Sequence, residues 1–154
     1  MKPNAHRSGT FAKTTISEMP RVLIVSDSAD SAAMYALYLR RAGFRTALAQ
    51  TRERVRIDAQ RAAPEIVVID FFLLDDALEA TYQVQSDPRT WNIPVLILTD
   101  QPVPAARSAA RAAGASSVLA KPCLPQNLTV ELRRMLALAH GRTPVVLTTR
   151  RYSA

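Results

Sequence analysis

Four side chains in this sequence have the types that phosphoryl transfer uses, and each stands at the end of a short apolar run. Asp27 closes Val22-Leu23-Ile24-Val25-Ser26, Asp70 follows Ile66-Val67-Val68-Ile69, Thr99 follows Val95-Leu96-Ile97-Leu98, and Lys121 follows Ser117-Val118-Leu119-Ala120. Carboxylates such as Asp27 and Asp70 are hard oxygen ligands that suit Mg²⁺, which keeps several waters and takes one or two carboxylates plus phosphate oxygens. Asp70 can also be a nucleophile, giving an acyl phosphate. Thr99 can donate to a phosphoryl oxygen, and Lys121 can set a compact cation against it. Such a reaction runs on positioning and charge neutralisation. Each residue alone has a plainer use, since an Asp after a strand caps a helix and a Thr or Lys-Pro builds a turn. It is their joint order that carries information.

The elements that must position them alternate. Val22–Val25 and Ile66–Ile69 are continuous β-branched runs, the mark of strands buried on both faces. Ile93–Leu98 and Ser117–Ala120 read as further strands, and Phe44–Gln50 as another. Between them, Asp30–Ala42 places Met34, Leu37 and Tyr38 at helical spacing and stops at Gly43. Arg52–Ala63 reads as an Arg-rich helix closed by Pro64. Asp75-Asp76 caps a helix running to about Ser86 with Leu78 and Tyr82 inward. Pro102 and Pro104 open an Ala/Arg helix to Ala113, with Gly114 behind it and a small-residue surface of Ala106, Ala109, Ala110 and Ala113. Gln126–Ala139 carries Leu128, Leu132, Met135 and Leu136 on one stripe. Five strands alternating with five helices predict an α/β fold, a doubly wound parallel sheet with helices on both faces. Ligands of such folds bind outside the carboxyl ends of the strands, where the four residues sit.

Length and composition agree. A chain of 154 residues, 48% hydrophobic and 21% charged, suits one soluble domain with tails. No apolar stretch approaches the roughly 20 residues of a membrane span, and no secretory run opens the chain, so a cytoplasmic protein without membrane insertion is expected. One cysteine, Cys123, cannot form an internal disulfide and reads as a small apolar filler. The net charge of +7 is unevenly spread. Lys2, Arg7 and Lys13 against Glu18 make residues 1–20 a basic arm, and Arg142, Arg150 and Arg151 make 141–154 a basic tail, leaving 21–140 as the domain. Without aromatic interleaving or a helix-turn-helix pattern, nucleic acid is not the expected partner. In the tail, Pro144–Thr149 has strand character.

Over about Arg21 to Ala139 the sequence resembles the receiver domains of two-component response regulators. The motifs that carry this are VLIVSD (Val22–Asp27), VVID (Val67–Asp70), VLILT (Val95–Thr99) and LAKP (Leu119–Pro122). The resemblance implies a flavodoxin-like strand order 2-1-3-4-5, Asp70 as phosphoacceptor, and Thr99 and Lys121 at the phosphoryl group. It also implies a magnesium site of Asp27, Asp70 and the backbone carbonyl of Phe72, with a cis bond before Pro122. A stand-alone receiver of this kind is not an enzyme beyond weak self-dephosphorylation. It takes phosphate from a histidine kinase or phosphotransfer protein and docks to a downstream protein, or to a second copy, through helix four, strand five and helix five.

Several positions depart from the pattern. Ser26 replaces the usual second acid, which should weaken Mg²⁺ binding. Asp100 replaces a small residue: either it points to solvent as an ordinary loop acid, or it sets an anion beside the phosphoryl position, at a cost of about 1 to 4 kcal/mol at about 4 to 6 Å if poorly screened. Val118 replaces the usual aromatic, and Ala77-Leu78 the usual Asp-Gly. Ser26, Asp100 and Val118 favour the alternative of a pseudo-receiver scaffold that works without phosphorylation, whereas the intact Asp27, Asp70, Thr99 and Lys121 oppose it. A flavodoxin-type cofactor carrier is disfavoured, because the first loop, Ser26-Asp27-Ser28-Ala29-Asp30, carries two acids that would repel a phosphate.

Overall fold

Alternate residues of a strand point to opposite faces, so a strand apolar at every position needs cover on both sides. The computed structural model, which describes residues 19–141, meets that condition. β1 (Arg21–Ser26), β3 (Ile66–Asp70) and β4 (Val95–Thr99) are buried throughout, Arg21 apart. β2 (Arg45–Ala49) and β5 (Ser117–Ala120) are less buried because they are the edges of a parallel sheet ordered β2-β1-β3-β4-β5. Val22, Ile24, Ile66, Val68, Leu96 and Leu98 face α1 (Ala29–Arg41) and α5 (Pro125–Ala139). Leu23, Val25, Val67, Ile69, Val95 and Ile97 face α2 (Val55–Ala62), α3 (Leu74–Ser86) and α4 (Pro104–Ala113). Each such side chain taken from water contributes about 1.5–3 kcal/mol. The doubly wound order 2-1-3-4-5 is thus the observed fold. Among the described residues no helix is long and apolar enough to cross a membrane. The basic arm and tail, with the strand-like Pro144–Thr149, lie outside the described residues apart from Met19, Pro20 and Gly141.

Two helices present a different face from the one their large residues predict, and a third turns part of its small-residue face inward. In α1 the buried stripe is Ala32, Tyr35, Ala36 and Leu39, while Met34, Leu37 and Tyr38 are exposed. In α3 it is Ala77, Ala80, Thr81 and Val84; Leu78 is partly buried and Tyr82 is out in solvent. Both stripes follow the i, i+3, i+4, i+7 pattern, but with small residues that let the helix lie close to the sheet. In α4 the alanines Ala106 and Ala110 turn inward for the same reason, so that surface is not free for a partner. Nor do Asp75 and Asp76 cap α3. The cap position is Leu73, with no side-chain hydrogen bond, and Asp76 pairs with Arg52 in the short 3-10 turn Arg52–Arg54 instead. The α5 stripe of Leu128, Leu132, Met135 and Leu136 is buried as read.

Two helix C-caps, Ala63 and Gly114, adopt left-handed backbone, as Gly43 and Gly141 do just beyond α1 and α5. Gly114 ends α4 at φ 107°, and a Cβ there would lie 2.6 Å from Gln85 Cγ. α2 ends on Ala63 at φ 44° and ψ 55°, a conformation that L-residues adopt at a cost. Ala63→Gly should therefore raise unfolding free energy by about 0.5–1 kcal/mol, and Gly114→Ala should lower it by about 1 kcal/mol or more. Urea denaturation of the two variants checks both signs.

Candidate functional site

The parallel register brings the strand ends together. Ser26 at the end of β1 lies opposite Asp70 at the end of β3, and Asp70 lies opposite Leu98, one residue before Thr99. Asp70 is buried, and its Oδ1 is 2.8 Å from Lys121 Nζ. The same ammonium donates to the Phe71 carbonyl at 3.0 Å. Asp70 Oδ2 accepts from Ser26 Oγ at 3.2 Å, and Asp27 Oδ2 accepts from the Phe72 backbone N–H at 3.0 Å. Asp27, Asp70, Phe72, Asp100 and Lys121 line one half-open cavity of about 830 Å³.

Three of the four predicted side chains, Asp27, Asp70 and Lys121, therefore share a hollow. Thr99 does not line it: the residue is buried at the end of β4, and its Oγ1 accepts from the Gln101 N–H at 3.1 Å. Asp100 does line it, while remaining exposed. The Lys121–Pro122 bond is cis, as the resemblance implied.

The donor set suits Mg²⁺. Two carboxylates, Asp27 and Asp70, are hard oxygen ligands on an open cavity, where a strongly hydrated cation can keep its waters. With serine at position 26, no group of three or more His, Cys, Asp or Glu side chains gathers among the described residues.

Sequence reading missed Tyr35 and the Ser26–Asp70 bond. Tyr35 lines the cavity, and its hydroxyl donates to the Cys123 carbonyl at 2.7 Å, fastening the loop that carries Lys121 to α1. Misplacing the buried stripe of α1 hid it. Burial pushes the Tyr35 phenol up to about 12, with Cys123 and Asp70 adding to the rise. Burial also pushes the Cys123 thiol up, so this cysteine is a poor thiolate and packs beside the core as a filler. In the unfolded chain the phenol ionises near its ordinary value of 10.0, and folding stability should fall as pH rises from there to about 12. Tyr35→Phe should lose about 1 kcal/mol at neutral pH, from the unpaired carbonyl, and also lose this alkaline slope. Denaturation curves at several pH values would reveal either failure.

A doubly wound parallel sheet that gathers two aspartates and a lysine at the carboxyl ends of its strands defines a signalling receiver. The chain belongs to the response regulator receiver domain family, whose model matches residues 22–133. Among solved structures, a candidate response regulator from Chloroflexus aurantiacus is 32% identical, covering 77% of this chain and 98% of its own, with a TM-score of 0.70. The chemotaxis response regulator CheY4 of Vibrio cholerae is 27% identical, covering 75% and 98%, with a TM-score of 0.69. The receiver domain of sensor histidine kinase PA1611 from Pseudomonas aeruginosa, described with a magnesium ion coordinated in its active-site cleft, is 24% identical, covering 80% and 98%, with a TM-score of 0.65. No curated protein matches the chain.

Proposed function

We propose that the protein acts as a response regulator receiver, working in the cytoplasm, that accepts a phosphoryl group on Asp70 from a histidine kinase or phosphotransfer protein and signals by docking to other proteins. The observation that carries this is the Asp70–Lys121 pair, 2.8 Å apart inside the cavity that Asp27 shares. An Asp70 oxygen attacks phosphorus, the P–N bond to the donor imidazole breaks, and the imidazole takes up a proton from solvent as it leaves. Lys121 then follows the negative charge from carboxylate to phosphoryl oxygens, as a compact cation on a flexible stem can. Asp27, Asp70 and the Phe72 carbonyl would hold Mg²⁺, which supplies charge neutralisation on the phosphoryl oxygens when bound. Thr99 Oγ1 accepts from the Gln101 N–H and keeps its own proton to donate to a phosphoryl oxygen. Met34, Phe72 and Leu124, all exposed, rim the same cavity and supply apolar surface for a docked donor protein. The domain is no enzyme beyond hydrolysis of its own acyl phosphate.

Acetyl phosphate with Mg²⁺, followed by intact-mass measurement, tests the reading. One added phosphate on the wild type and none on Asp70→Asn is expected; no addition, or the same addition on both, refutes it. The second reading, a scaffold that does not use phosphate, draws support from Asp100 lining the cavity while Thr99 does not. Beryllofluoride with Mg²⁺ separates the two, because a scaffold would show no amide shifts around Asp70 and Thr99.

A further inference from the structure

The two oxygens of Asp70 meet unlike partners. Oδ1 faces Lys121, a cation whose side chain is 25% exposed and free to move with charge. Oδ2 faces Ser26, which is neutral, 1% exposed and fixed in register with Asp70 across β1 and β3. Ser26 Oγ lies 3.2 Å from Oδ2 and 3.1 Å from the Ser28 carbonyl, and it accepts from the Ser28 N–H at 3.1 Å. Ser28 in turn caps α1, accepting from the Ser31 N–H at 3.3 Å. One proton on Ser26 thus has two acceptors within reach, a carboxylate oxygen and a backbone carbonyl.

The balance between them depends on the charge of Asp70. A hydroxyl bonded to an ionised oxygen holds about twice as strongly as one bonded to a neutral oxygen. With the carboxylate free, Oδ2 is the better acceptor. In an acyl phosphate formed through Oδ1, Oδ2 is an uncharged carbonyl oxygen and the Ser28 carbonyl competes on equal terms. The Ser26 bond therefore strengthens as the carboxylate is regenerated.

We propose that Ser26 Oγ is the hydrogen-bond donor that assists departure of the Asp70 carboxylate when the acyl phosphate hydrolyses, and so shortens the lifetime of the phosphorylated state. Water attacks phosphorus, the Oδ1–P bond breaks, its electron pair returns to the carboxylate, and inorganic phosphate leaves carrying the protons of the water. The returning charge spreads over Oδ1 and Oδ2, and Ser26 meets it at Oδ2. This rests on Asp70 being the acceptor.

The experiment loads the full chain with acetyl phosphate and Mg²⁺, removes the reagent by desalting, and follows loss of the added mass with time, once in Mg²⁺ and once in EDTA. Ser26→Ala should retain its phosphate about fivefold longer than wild type, and Ser26→Thr should decay as wild type does. Ser26→Cys, a weak donor of similar volume, should follow Ser26→Ala and covers the case in which the alanine variant folds poorly. The Ser26 effect should persist in EDTA, because the donor acts on the carboxylate directly. Equal or faster decay of Ser26→Ala and Ser26→Cys, or an effect confined to Mg²⁺, overturns the proposal while leaving Asp70 as acceptor. Absence of any uptake on wild type overturns both.

Discussion

Lys121→Met should lower the unfolding free energy by about 2–3 kcal/mol and slow phosphoryl uptake from acetyl phosphate by roughly tenfold or more. The two side chains of the pair are unequally buried, 7% exposed for Asp70 and 25% for Lys121. Removing the lysine strands a buried carboxylate with one neutral donor, Ser26, at 3.2 Å. Removing the carboxylate leaves a lysine that can turn toward water and still bond the Phe71 carbonyl, 3.0 Å away. The expected loss sits below the usual 3–5 kcal/mol for breaking a buried pair, because the lysine is partly solvated already. Asp70→Asn in the Lys121→Met background should recover most of the stability and none of the uptake. Urea denaturation of the four-member cycle measures the first, and intact-mass time courses the second. A Lys121→Met protein as stable as wild type would mean that the ion pair contributes nothing to the fold.

Strand identity was legible in the sequence because β-branched runs such as Ile66–Ile69 admit few other readings once turn residues bound them. Strand ends were legible too, which is why Asp27, Asp70 and Lys121 could be assigned to one hollow without coordinates. The register that places Ser26 beside Asp70 is a property of two strands together, and neither run alone encodes it. Helix faces were harder. In α1 and α3 the residues against the sheet include Ala32, Ala36, Ala77 and Ala80, while Met34, Leu37 and Tyr82 stand in solvent. Part of the apolar size points outward there, because close helix-to-sheet packing favours small side chains beside the few large ones, Tyr35, Leu39 and Val84, that are buried. Thr99 illustrates another limit: its position after β4 was evident, but the choice of its hydroxyl to accept from Gln101 depends on the local turn.

That turn makes Asp100 the second place where a large effect is expected. The bond from the Gln101 N–H to Thr99 Oγ1, at 3.1 Å, spans Asp100 and pins the backbone on either side of it. Asp100 lines the cavity that an incoming dianionic phosphoryl group must enter. Asp100 is exposed, so water screens it and the repulsion falls near the low end of the range for charges about 4 to 6 Å apart, about 1 kcal/mol. Asp100→Asn should then speed uptake from acetyl phosphate about fivefold, with the gain shrinking as salt is raised. Asp100→Ala should gain at least as much, since it removes bulk as well as charge. Initial rates by intact mass at low and high salt give both comparisons. If Asp100→Asn gains nothing while Asp100→Ala does, crowding rather than charge governs entry to the site. If neither gains, the carboxylate turns away from the phosphoryl path.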